Sequence, residues 1–110
     1  MDEQLRREVT LLHANLCQAL ADPTRLLILY ALAEAPRNVG GLAELLDAPQ
    51  STVSRHLKVL RERHLVTTAR DGVSVLYALA DARVIDALDI LRAVLMSALS
   101  QQAALARDLS

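Results

Sequence analysis

Aromatic residues are almost missing from this chain: there is no Phe and no Trp, and two Tyr stand among 110 residues. Recognition of single-stranded nucleic acid relies on aromatic side chains that stack bases, so their scarcity argues against that class of partner. The single Cys, Cys17, excludes an intramolecular disulfide. No basic N-terminal segment followed by an apolar run marks the chain for export. The longest apolar stretches, such as the one from Leu26 to Ala33, fall short of the roughly 20 residues that a helical membrane span needs. A cytoplasmic protein without membrane association is the expectation. With three Gly and three Pro, no low-complexity tract, internal repeat or linker divides the chain, and residues 1–110 read as a single domain. The three His, at positions 13, 56 and 64, fall on separate helices or helix ends, with no nucleophile paired to a base and no Gly-rich loop to shape a pocket. An enzyme is not expected on that pattern, and no cofactor is implied.

What is present is aliphatic: 53% of the residues are hydrophobic, which with so few aromatics describes a mainly helical chain. The stretch from Gln50 to Arg63 organises the rest. Val53, Leu57 and Leu60 fall at i, i+4 and i+7 and form one apolar stripe that holds a helix against a core. At 100° per residue, Ser51, Arg55 and Lys58 gather away from that stripe, with Ser54 at its edge and Thr52 and His56 on the opposite flank. Hydroxyls and an amide in the first turn, followed by cations, suit a helix that reads base edges and meets phosphate. Upstream, Leu42 to Leu46 forms a short helix and Asp47-Ala48-Pro49 a turn of helix-turn-helix length. Downstream, residues 66–70 and 73–79 read as strands joined by Asp71-Gly72, two positions that tolerate positive φ. Helix, turn, basic helix and hairpin follow one another in the order of a winged helix-turn-helix.

The formal net charge of -1 speaks at first against a nucleic-acid partner, whose phosphates are met by Lys and Arg. Its distribution reverses that reading. Residues 50–70 carry Arg55, Lys58, Arg61, Arg63 and Arg70 against Glu62, a segment of about +4 within a chain whose remainder is about -5.

Taken in order, residues 2–20 show an apolar stripe of Leu5, Val9, Leu12, Leu16 and Leu20, the first helix. Asp22 caps and Pro23 opens a second helix, apolar almost all round and therefore central to the core. Asn38 or a neighbour starts the third helix, and a short extended piece at 37–39 has room to pair with the hairpin. His64 stands where a helix-ending Gly is expected, so that end needs an uncomfortable backbone or packing by Leu65. Asp81 opens a last helix, about 81–107, with more apolar residues than a chain of this size can cover. A two-fold dimer follows, in which the first and last helices pack on their mates through Leu5, Val9, Leu12 and Leu16 and through Leu88, Leu91, Leu95 and Leu99. The expected order is α1-α2-α3-α4-β-β-α5.

The segments Leu20-Ala21-Asp22-Pro23-Thr24-Arg25-Leu26, residues 39–46 and Ser51-Thr52-Val53-Ser54-Arg55-His56-Leu57-Lys58-Val59-Leu60-Arg61, with the wing ending in Tyr77, resemble ArsR-type (ArsR/SmtB-like) transcriptional regulators over about residues 5–100. The resemblance implies a dimeric winged-helix repressor that binds a double-stranded operator and blocks transcription until a signal weakens binding. By position it carries base reading to Gln50, Ser51, Thr52, Ser54 and Arg55, and phosphate contact to Lys58 and to the wing at Arg70 and Gly72. His56 matches the motif and joins the DNA-contact set, although its flank position equally suits packing or a helix-to-helix hydrogen bond.

The signal is less legible. Relatives that sense metals use Cys-X-Cys before the recognition helix, where this chain reads Asn38-Val39-Gly40. Others use Asp and His on the last helix, where residues 81–110 contain no His and only Asp81, Asp86, Asp89 and Asp108 as carboxylates, a set that favours hard cations. Thiol-redox relatives need two Cys. No metal site is expected on these grounds. His13 and Cys17, i and i+4 on one helix face, are the remaining pair for a thiol or metal sensor, against the reading of a buried Cys beside a half-buried His. An organic effector near Leu12, Leu16, Leu91 and Leu95 stands against a closed dimer core. A winged helix that docks protein rather than DNA is the other open alternative.

Overall fold

The computed structural model describes residues 1–109. It is mainly α with a two-stranded wing, in the order expected: α1 (Glu3–Leu20), α2 (Pro23–Glu34), α3 (Val39–Leu46), α4 (Gln50–Glu62), β1 (Val66–Asp71), β2 (Ser74–Leu79) and α5 (Arg83–Leu109). Among the described residues no single helix is long and apolar enough to cross a membrane.

α2 is the hub. It packs against the end of α1, α3, α4, β2 and α5, and contributes Ile28, Leu29, Ala31 and Leu32 to a core shared with Leu42, Val53, Leu57, Leu60 and Leu88. Its start is fixed by Asp22, whose Oδ1 accepts from the amides of Thr24 at 2.8 Å and Arg25 at 3.2 Å, with Pro23 occupying a first-turn position that needs no donor. Its end is closed by Arg37, whose Nε donates to the Ala31 carbonyl at 3.1 Å. Leu27 departs from the expectation of a helix buried all round, since it remains 56% exposed.

α1 is not a uniform α-helix. Residues His13–Cys17 form one π turn, in which the Gln18 amide donates to the carbonyl of His13, five residues back. The Asn15 side-chain amide donates to the Leu11 carbonyl at 2.8 Å, a side-chain bond that competes with the backbone ladder where the winding widens. Nothing in Glu3–Leu12 is buried.

Two helices end in left-handed residues that are not Gly. Asp47 has φ 51 and His64 φ 63. Each closes with the paired bonds of a Schellman end: Asp47 N–H to Glu44 O and Ala48 N–H to Ala43 O, then His64 N–H to Arg61 O and Leu65 N–H to Leu60 O. Asp tolerates that conformation well. His adopts it less readily than Gly though more often than most side chains, and burial of Leu65 at 5% exposure helps hold the chain there, as the missing Gly anticipates.

The hairpin is antiparallel, with Val66 opposite Leu79 and Asp71 opposite Ser74. The turn is therefore Gly72-Val73, not Asp71-Gly72 as the sequence suggests. Gly72 has φ +63, and Gly at the first central position with an ordinary residue second is the pattern of a II′ turn rather than I′. The register is fixed elsewhere: Ala80 N–H donates to Leu65 O at 3.0 Å across the base. The short third strand is present as a single bridge, Arg37 to Tyr77, shortened because Asn38 already caps α3 by accepting from the Gly41 amide at 2.7 Å.

Burial acts to raise the Asp22 carboxyl, but the amides of Arg25 and Thr24 and the nearby His56 and Arg25 side chains together hold it below its ordinary 3.8. A carboxylate depressed in the folded state adds stability above its unfolded pKa and loses it as pH falls through the folded value. Asp22→Ala is expected to lower stability by about 0.5–2 kcal/mol near neutral pH. In urea denaturation the gap between the two proteins should be full at pH 6 and should shrink as pH falls below about 4.

Candidate nucleic-acid interface

α3, the Asp47-Ala48-Pro49 turn and α4 form the helix-turn-helix. Leu42 and Ala43 of α3 and Val53, Leu57 and Leu60 of α4 are buried, so the pair is held by its inner faces and α4 turns its other side outward. On that side Gln50, Ser51, Ser54, Arg55 and Lys58 are all exposed, and Thr52 is half-buried at its edge. Gln50 lies over the first turn of α3, where its Nε2 would stand 3.6 Å from a Cβ on Gly40. Among the described residues Arg55, Lys58, Arg61 and Arg70 take part in none of the ion pairs. Four unpaired cations on one segment keep their charge available to an anionic partner. Arg70 and Gly72 sit at the outer end of the wing, beside a fully exposed Val73.

His56 does not belong to this face, which corrects its place in the DNA-contact set. It is 8% exposed and turned inward, where Arg25 Nη1 lies 3.3 Å from its Nδ1 and Asp22 Oδ1 lies 4.0 Å from its Nε2. Nδ1 must accept from a guanidinium that only donates, so the proton belongs on Nε2, facing the carboxylate. The same guanidinium donates from Nε to Ala19 O at 2.6 Å and from Nη2 to Gln18 O at 3.2 Å, closing the end of α1. Nothing in the spacing of residue types gives Arg25 a role. The signal it left was the joint occurrence of Asp-Pro-Thr-Arg and Ser-Thr-Val-Ser-Arg-His-Leu, two halves of one contact.

The other site residues divide. His13 and Cys17 both lie in the π turn and both are exposed, contrary to the reading of a buried Cys and half-buried His. Among the described residues no group of three or more His, Cys, Asp and Glu stands together as a metal site. Leu5, Val9, Leu12, Leu91, Leu95 and Leu99 are 44–62% exposed. Leu16 is half-buried, and Leu88 lies at 8% exposure inside the subunit's own core. Leu88 therefore leaves the set expected at a dimer contact, because the first turns of α5 are what attach it to α2.

The family model described as "Bacterial regulatory protein, arsR family" matches residues 22–68, the span from the Asp22 cap to the first wing strand. The HTH-type transcriptional regulator NmtR of Mycobacterium tuberculosis is 43% identical over 89 residues, covering 81% of this chain and 71% of the relative. The chain belongs to the ArsR family. The HTH-type transcriptional repressor SmtB of the same species is 44% identical over 75 residues, 68% of this chain and 56% of the relative's length. The solution structure of the homodimeric winged helix-turn-helix domain of Mb0332 from Mycobacterium bovis superposes with a TM-score of 0.77 at 26% identity, covering 92% and 93% of the two chains. ArsR-family members are transcriptional regulators, not enzymes, and this one carries their winged helix-turn-helix DNA-binding fold.

His56 and Arg55 should separate cleanly on mutation. His56→Ala removes an acceptor from a half-buried guanidinium and is expected to lower stability by about 1–3 kcal/mol. Measured under conditions where the variant is fully folded, its preference for one DNA sequence over another should stay at the wild-type value.

Proposed function

We propose that two copies of this chain form a two-fold dimer that binds a pseudo-palindromic operator and represses transcription until a signal weakens that binding. The observation that carries the reading is the outer face of α4, where polar and cationic side chains stand exposed and unpaired while the inner face is locked into the core. Gln50, Ser51, Thr52, Ser54 and Arg55 would meet base edges, and Lys58 and the wing at Arg70 and Gly72 would meet phosphate. Recognition helices of two subunits would enter successive major grooves about 34 Å apart.

Dimerisation is supported by the shape of one subunit. Its radius of gyration is 17.4 Å, against about 13 Å for a compact domain of this length. The apolar residues Leu5, Val9 and Leu12 of α1 and Leu91, Leu95 and Leu99 of α5 are left 44–62% exposed within the subunit. A surface of that kind is a liability in water unless a partner buries it. The homodimeric Mb0332 domain supports a second copy as that partner, and the SmtB relative, named a repressor, supports repression.

Binding is best tested by salt-titrated anisotropy on the DNA upstream of the gene and on random duplex. Tighter binding to the upstream duplex, by about 10³ or more, is the expected result, and equal weak binding to both would overturn operator reading there. Arg55→Ala should cost about 1–3 kcal/mol on the operator and little on random DNA. Lys58→Ala should weaken both alike and lower the salt slope by about one. In sedimentation equilibrium at micromolar concentration the wild type should run as a dimer and Leu95→Asp as a monomer, since an unpaired carboxylate there would be desolvated by the partner.

A further inference from the structure

α5 joins the reading domain to the dimer contact, so its angle to α2 sets how far apart two reading heads stand. Most of the contact that fixes this angle is apolar. Leu88 is buried, and Val84 and Ile85 pack partly against the same core. Such contact is non-directional and tolerates a small rotation. A directional contact is added at the residue after Leu88, where the Tyr30 hydroxyl donates to Asp89 Oδ1 at 2.6 Å. Arg92 lies over the Tyr30 ring, 5.3 Å from its centroid, with its Nη1 3.4 Å from the same Asp89 oxygen. The three side chains close on one another: the cation holds both the ring face and the carboxylate that orients the hydroxyl.

We propose that Tyr30, Asp89 and Arg92 are positioning residues that fix the angle of α5 to the reading domain and so the half-site spacing the dimer accepts. The inference rests on the dimeric operator reading above. The geometry makes the spacing sensitive to this latch. If the lever is taken as about half of the subunit's 42 Å middle axis, a rotation of about 5° would shift the reading helix by nearly 2 Å. In a two-fold dimer the shifts add, to about the 3.4 Å rise of one base pair. The contact is suited to holding an angle because it is directional. The Asp89 hydrogen bond, more than burial, also pushes the Tyr30 hydroxyl above its ordinary pKa, which keeps it a donor.

The test uses full-length protein and three operator duplexes, with the half-sites at their natural separation and with one base pair inserted or removed, beside a duplex holding one half-site. Wild type is expected to prefer the natural spacing by about tenfold or more. Tyr30→Phe and Asp89→Ala should each reduce that preference to about threefold or less, with single half-site affinity and dimer mass unchanged. Asp89→Asn keeps an oxygen that accepts from Tyr30 and should retain the wild-type profile. Asp89 is half-exposed, so its substitution leaves the core intact. A wild-type spacing profile in Tyr30→Phe and Asp89→Ala, or an equal loss at every spacing, would overturn the positioning role while leaving operator reading in place. A wild type indifferent to the half-site itself would overturn operator reading and this inference together.

Discussion

One guanidinium ties the reading helix to the rest of the molecule. Arg25 sits in the first turn of α2, closes two carbonyls at the end of α1 and reaches His56 on α4. Three helices that approach from different directions are joined by a planar fork of donors, directed at the Ala19 and Gln18 carbonyls and at His56 Nδ1. A Lys there would supply one point charge and could not span the set. Asp22 completes the arrangement by capping α2 and facing the far side of the His56 ring.

Because His56 faces inward with Val53, Leu57 and Leu60, α4 presents only its outer side chains to a partner. The fold separates two tasks along a single helix, packing on one face and recognition on the other. The wing is attached on the same principle: Arg37 closes the end of α2 with its side chain while its backbone pairs with Tyr77. Both cations do structural work with the same hardware that Arg55 and Lys58 leave free for an anion.

The dimerising elements are built differently. α1 and the distal part of α5 carry apolar side chains with no core of their own, so their positions within a subunit are held near their inner ends alone. Leu88 and the Tyr30–Asp89 contact anchor α5, and the Arg25 contacts anchor α1. Control of the angle at these anchors is control of how two reading heads are presented to DNA.

Helical periods, the Asp22 and Asn38 caps, the helix-turn-helix order and the uncomfortable end at His64 were legible from residue types alone, because each depends on neighbours within a turn or two. The α4 face was legible for the same reason. The hairpin turn was misread as Asp71-Gly72: sliding the pairing by two residues leaves every side chain on its original face, so the alternating pattern cannot distinguish the registers. The bond from Ala80 to Leu65 distinguishes them. His56 and Leu88 lie at the edges of apolar stripes, where periodicity gives a direction but not a partner. The sequence by itself determined the elements, their order and the face offered to a ligand, since these are local. Tertiary structure alone decided that His56 packs against Arg25, that Leu88 belongs to the subunit's own core and that Tyr30 meets Asp89, because such contacts join residues far apart in the chain and exist only once α2 brings them together.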